Sequence, residues 1–313
     1  MMNRIASALS FVVLPLTITG CVTVHPSVVS DAGAAKDAAA SPTLKQVAQR
    51  VLKRRVAVLR FSNETKYGTG AFGGAFGVPI EEQAADILKT RLVESDKVVL
   101  IDTEGFLGGE SNLAALRADF AIVGSVSEFG RSTTSDTGVF SRSKRQVAHA
   151  AVNLRLIDGR TGKAVFAEEG SGTAEVEVGR VLGVGADAGY DSSLNDKAIS
   201  AAISKLVSNI LEHMMDAPWH TGVLKVDGET LFIAGGELQG LKLGDRFAIM
   251  KHGEFVANPQ SGGTIELPRT AVARIEVTAF FGAGPDDQGS VCRLIDGSLL
   301  ELALSDLIVE EIR

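Results

Sequence analysis

HAAVNLRLIDGRTGKAVFAEEGSGTAEVEV, His149 to Val178, reads as two long β-type runs, His149–Asp158 and Gly162–Val178, divided by a turn at Asp158-Gly159-Arg160. It is a hairpin, and the sequence before it supplies further strands: RVAVLRF (Arg55–Phe61), VVLID (Val98–Asp102) and DFAIVGSV (Asp119–Val126), the last preceded by the short helical pattern NLAALRA. Between the first two lies IEEQAADILKTRLVES, opened by Pro79, with Ile80, Ala84, Ile87, Leu88 and Leu92 at helical spacing. After the hairpin comes DKAISAAISKLVSNILEHMM, whose Ile199, Ala202, Ile203, Leu206, Ile210 and Met214 line one face and predict a helix packed on the sheet. Strands and helices in this order predict an α+β class with a mixed sheet over 44–216.

Asp216-Ala217-Pro218 breaks the helical pattern, and beyond it TGVLKV, TLFIA, RFAIMK, AVARIEVTAFF and VCRLI follow one another between glycine turns. Short strands at such spacing predict a small β-barrel or SH3-like domain over 219–313. At the other end, MMNRIASALSFVVLPLTITGC has a short basic start, an apolar run broken by Pro15 and a small-residue end. That run is too short for a bilayer span of about 20 residues, so 1–20 is expected to be an export signal. Ile18-Thr19-Gly20-Cys21 resembles the lipobox of bacterial lipoproteins, which implies that Cys21 becomes the lipid-modified first residue of the mature chain. Val22 follows it in place of the inner-membrane retention Asp, so the resemblance points to the outer membrane, periplasmic side. Residues 21–43, rich in Ala, Ser, Val and Asp, are expected to be a flexible tether. An acylated Cys21 leaves Cys292 without a disulfide partner, as a buried structural thiol in SVCRLID.

With 313 residues, 45% of them apolar, the chain can bury a full core, and its net charge of −7 argues against a nucleic-acid binder. The literal G-x-G-x-x-G at Gly68, Gly70 and Gly73 is not a dinucleotide site. Ser62 to Tyr67 separate it from the preceding strand, and Asp102 stands 29 positions after Gly73 where about 20 is the rule. Five scattered histidines show no metal spacing, and no nucleophile motif is present, so no catalytic residue, metal or cofactor is expected and the chain is not read as an enzyme. The basic runs Lys53-Arg54-Arg55 and Arg142–Arg145 and the pair Glu168-Glu169 read as solvated surface.

RVAVLRFSNET, ADILKTRL, ADFAIVGSVSEFG and above all AVNLRLIDGRTGKAV resemble the CsgG family of outer-membrane lipoproteins, the secretion channels of curli fibres. The resemblance implies a periplasmic α/β domain and a homo-oligomer in which two β-hairpins per protomer enter the membrane. It also implies that the loop after the first strand narrows a pore. By position, Tyr67, Phe72 and Phe76 form that constriction or bind a partner, although the family's Asn is missing between Tyr67 and Pro79. Of the two insertions, the one at 172–190 keeps Ala174, Val176, Val178, Leu182, Val184, Ala186, Ala188 and Tyr190 on one face. The one at 130–147 has no apolar alternate set, and Arg131, Arg142, Lys144 and Arg145 are costly against lipid, about 2 to 4 kcal/mol each at the midplane. Two readings therefore stay open: a channel or assembly component for curli-like appendage subunits, and a non-pore periplasmic adaptor docking to envelope or flagellar machinery. GGELQGLKLGDRFAIMKHGE with ARIEVTAFF resembles the C-terminal domain of flagellar assembly protein T, which implies docking to another envelope protein.

Overall fold

The computed structural model describes residues 51–66, 79–103, 113, 116–137, 141–181, 184–185, 193–260, 262–284, 287–299 and 302–312. The β-rich segment RRVAV forms β1 (Arg54–Val58), parallel to β3 (Val98–Ile101) on one side and to β4 (Phe120–Thr137) on the other. β2 (Ser62–Asn63) continues the same path along β4. β5 (Ser141–Asp158), β6 (Ala164–Val181) and β7 (Val184–Gly185) then add antiparallel, giving the order β3-β1-β4-β5-β6-β7. The sheet is mixed because a helix, α1 (Ile80–Glu94), carries the chain between parallel neighbours, whereas short turns join the later strands. The hairpin lies where the sequence put it, with Asp158 Oδ1 accepting the N–H groups of Arg160 and Thr161 to close the turn.

α1 and the second helix, α2 (Ser193–Asp216), cover one face of the sheet. Ile80, Ala84, Leu88 and Leu92 of α1 and the whole predicted stripe of α2 are buried with Val56, Ile122, Val152, Leu154 and Leu156 of the strands. Glycine sets the spacing between α2 and the sheet. A Cβ at Gly170 would stand 2.6 Å from the carbonyl oxygen of Ala202, and one at Gly172 would collide with the backbone of Ala198 and Ala202. Two glycines on the strand and two alanines on the helix thus allow backbone to approach backbone. The opposite face holds a smaller cluster of Ala57, Leu59, Leu113, Ala121 and Ile157.

The chain after α2 forms a closed six-stranded barrel in the order β10-β13-β14-β9-β8-β15. Its strands are β8 (His220–Asp227), β9 (Thr230–Ala234), β10 (Arg246–Lys251), β13 (Thr270–Phe281), β14 (Gly289–Gly297) and β15 (Leu307–Glu311). A separate hairpin of β11 (Phe255–Ala257) and β12 (Thr264–Glu266) hangs between β10 and β13. β15 and this hairpin were not expected from the sequence. Trp219, Leu231, Ile233, Phe247, Ile249, Ile275, Val277 and Cys292 fill the barrel. Burial pushes the Cys292 thiol up to about 12, which keeps it protonated.

Leu52, from before β1, also belongs to the barrel's buried cluster. Two residues on, Arg54 corrects the reading of Lys53-Arg54-Arg55 as a solvated run: it is 3% exposed. Its Nε and NH2 donate to the carbonyls of Met214 (3.2 Å) and Ala217 (2.5 Å), where α2 ends. A cation there meets the negative end of the helix dipole, and that offsets the desolvation of the guanidinium. Arg55 stays at the surface side of β1, but its N–H donates to Asp119 Oδ2 at 2.7 Å.

Candidate functional site

The long strands are the feature that the rest of the molecule positions. β4 and β5 pair without interruption from Phe120↔Asp158 to Thr137↔Arg142, apart from one bulge between Val126 and Glu128. β5 and β6 pair from Ile157↔Ala164 to Ser141↔Val181. At 18 residues, β5 is about 55 Å long at the usual strand rise of about 3.3 Å per residue. The strand ends at Thr137, Ser141, Val181 and Val184 therefore lie at one end of the sheet. The β5–β6 turn, the C-terminus of α2 and the barrel lie at the other.

Polar sequence became strand in these arms because the antiparallel ladders satisfy its backbone and α2 covers part of β5 and β6. Arg131, expected to be costly against lipid, instead donates to Asn195 Oδ1 on α2 (3.0 Å) and to Gln146 Oε1 on β5 (2.9 Å). Arg145 is ion-paired with Glu175 across β5 and β6. Glu128 approaches His149 Nε2 at 3.5 Å. On the second insertion, Ala174 and Val176 turn into the core under α2. So the first turn of the apolar face expected at 172–190 is covered by the protein itself. Its remaining members from Leu182 onward, Val184 excepted, lie outside the described residues.

Both arms have an outer edge. Among the described residues, the outer edge of β6 carries a strand only at Arg180 and Val181, where β7 pairs. The outer edge of β4 carries β1 at Phe120–Ile122 and β2 at Ser125–Val126, and no strand further along. A sheet edge that carries no strand among the described residues is a template for another strand.

The loop that the sequence singled out leaves the sheet beside the arms. Tyr67, Phe72 and Phe76 lie outside the described residues, as does Cys21. The flanks are described: Glu64 N–H donates to Val126 O (3.0 Å), and Asn63 Oδ1 accepts from Thr65 N–H (2.9 Å) and Thr65 Oγ1 (2.7 Å). At the far side, Pro79 O accepts from the N–H groups of Glu82 and Gln83 in the first turn of α1. The loop thus departs from the point where β4 leaves the helix-backed sheet and continues as an arm. Next to its first flank, Ser62, Glu64, Val123, Ser125, Asn153, Arg155 and Ala167 line a shallow cleft of about 350 Å³.

A charged seam joins the sheet to the barrel, and no sequence signal marked it. Asp119 is held above the ordinary carboxylate range by burial, which outweighs the Arg55 N–H and the nearby His220, Arg54 and Arg55 charges. Glu266 of β12 accepts from Arg269 Nε (3.0 Å), meets His252 Nδ1 at 2.7 Å and faces Arg160 of the β5–β6 turn at 3.6 Å. Arg269 also pairs with Glu310. Among the described residues, no group of three or more His, Cys, Asp or Glu side chains is placed to hold a metal ion. No described helix is long and apolar enough to cross a membrane, which leaves strands unconstrained.

Compared with known proteins, the chain matches the family described as curli production assembly/transport component CsgG over residues 37–244. It is 26% identical over 220 residues to a protein of Neisseria meningitidis serogroup B whose name calls it a lipoprotein, spanning 65% of this chain and 97% of that one. Among solved structures, a PelC dodecamer from Paraburkholderia phytofirmans is 18% identical over 53% of this chain and 89% of its own, with a TM-score of 0.26. A lipoprotein of Neisseria meningitidis is 17% identical over 52% and 99%, with a TM-score of 0.20. The family model takes in the whole helix-backed sheet, the long hairpins and the start of the barrel, and the chain belongs to the CsgG family.

Proposed function

We propose that this protein is an outer-membrane lipoprotein, anchored through Cys21 on the periplasmic side, that assembles into a homo-oligomer serving export or assembly of extracellular appendage subunits of the curli kind. The observation that carries the reading is the pair of long antiparallel arms whose outer edges, among the described residues, carry strand partners over only part of their length, in a member of this family. The outer edge of β6 in one copy and that of β4 in the next are different surfaces. Contact between them is head-to-tail and closes into a ring when the rotation allows. The name of the meningococcal relative supports the lipid anchor. In this reading the work is selective passage past the aromatic loop of Tyr67, Phe72 and Phe76, with exported or envelope proteins as partners and no catalysis. The sheet with its helices, 44–216, is the assembling domain, and the barrel, 219–313, is a docking module for another envelope protein. In planar bilayers, stable conductance steps changed by Phe72→Ala are expected; an oligomer that never conducts contradicts the pore.

A second reading, a non-pore adaptor, is favoured by one observation. Arg131, Ala174 and Val176 are engaged by the chain's own α2, so that part of the arms is a covered sheet. A soluble monomer after Cys21→Ser, needing no detergent, is its expected signature.

A further inference from the structure

Three consecutive residues at the entrance to the folded body touch both cores. Leu52 is 7% exposed and packs with Trp219, Leu231, Leu241 and Phe247 inside the barrel. Lys53 N–H donates at 2.8 Å to the carbonyl of Gln239, in the 3₁₀ turn between β9 and β10. Arg54 holds the last carbonyls of α2 and begins β1. The barrel is thus completed by a side chain from a segment that precedes the sheet, more than 160 residues away in the chain.

We infer that Leu52–Arg54 is a clasp: it docks the barrel on the helix-backed sheet, and its withdrawal releases the barrel while the sheet stays folded. Elsewhere across the seam, β3 meets the 3₁₀ turn at Glu237–Gln239 and Asp119 faces His220. Arg160 and Glu266 are 3.6 Å apart with Arg160 46% exposed, where an ion pair is screened and contributes little. The chain link itself, Asp216 to Trp219, is short, and the Ala217 carbonyl within it is held by Arg54 of the clasp. When Leu52 leaves the barrel, Arg54 two residues later is pulled with it. The last turn of α2 then loses its cation and the start of β8 loses its support in one step. The clasp is also where the 21–51 segment enters the body. On the reading that Cys21 is the lipid anchor, a displacement of that segment acts on the docking of the barrel before it acts on any strand of the sheet.

The test separates the two cores in the full-length chain. Both described α-helices belong to the sheet layer, so the far-UV helical signal reports it. The single tryptophan, Trp219, sits in the barrel and reports the seam. Hydrogen exchange of Leu52→Ser is expected to rise at least tenfold in β8, β9 and the last turn of α2, with a red-shifted Trp219 emission. Exchange in α1 and along the β5–β6 ladder stays as in the parent, and Leu52→Met restores the barrel. Lys53→Pro, which removes the N–H to Gln239 along with the Lys53–Asp96 ion pair, gives the same pattern with a smaller rise, and Lys53→Ala, which removes the ion pair alone, leaves exchange as in the parent. Unchanged exchange in the barrel for both Leu52→Ser and Lys53→Pro overturns the clasp. So does an equal loss of protection in sheet and barrel together with the helical signal, which would make Leu52 an ordinary core residue. Because nothing here requires oligomer or pore, the clasp and the proposed function fail separately.

Discussion

Cys292 shows how a residue's surroundings decide its chemistry. Its sulfur lies inside the barrel, and burial raises its pKa to about 12, so the thiolate needed for attack is absent near neutral pH. With Cys21 acylated, the folded protein is expected to react with a thiol reagent no faster than the barrel opens, and at once in denaturant. Rapid labelling of native protein contradicts the burial. Asp119 makes the opposite case, a carboxyl whose pKa burial raises above the ordinary carboxylate value. A carboxyl whose folded pKa is raised binds its proton more tightly when folded, so its contribution is largest at low pH and is lost as pH rises through the folded value. The midpoint of denaturant unfolding should therefore fall as pH climbs out of the ordinary carboxylate range, and Asp119→Asn should flatten that fall. An identical pH dependence in the two proteins counts against the assignment. Residue by residue, the sequence read Cys292 correctly as a buried thiol. It misread Arg54, because a guanidinium in a basic run looks like surface until the end of a helix, 160 positions later, is brought beside it.

Among the elements, the pairing of α2 with β6 is the most exacting contact. Leu206 and the backbone of Ala198 and Ala202 occupy the space where side chains at 170 and 172 would stand. Gly172→Val is expected to destabilise the sheet by about 2 kcal/mol or more, since overpacking against backbone has no soft neighbour to yield. Gly130→Ala, where an added Cβ meets nothing within 4 Å, should cost well under that in the same unfolding experiment. The elements were legible where periodicity is strong. α1, α2, the hairpin turn at Asp158 and five of the six barrel strands follow from apolar spacing and glycine turns. The rest was not, for physical reasons. LIVEE in β15 is five residues ending in two glutamates, and its strand state depends on β8 and β10 at either side. The segment 130–147 has no alternating face, yet it is strand because the β4–β5 and β5–β6 ladders satisfy its backbone. Of the candidate site, the resemblance placed the two insertions at 130–147 and 172–190, whereas the strand state of the first, the cover by α2 and the seam with the barrel depend on distant contacts.

For the whole molecule, the decisive geometry is that the barrel and the arm tips occupy opposite ends of a strand about 55 Å long. The chain bearing Cys21 enters at the barrel end, beside Leu52. If the arms reach the bilayer, the 30 residues between Cys21 and Leu52 have to span back along the body. Deleting all of 23–42 leaves ten residues, about 35 Å when extended, and should then abolish assembly or conductance, while an adaptor held with its barrel towards the membrane should tolerate the loss. Export assays on the deletion strain distinguish the two. The account as a whole turns on whether copies of this chain meet edge to edge. Electron microscopy of the full-length protein, extracted from membranes in mild detergent, reads this directly: the account predicts closed rings of uniform diameter, and a field of single particles the size of one chain would contradict it.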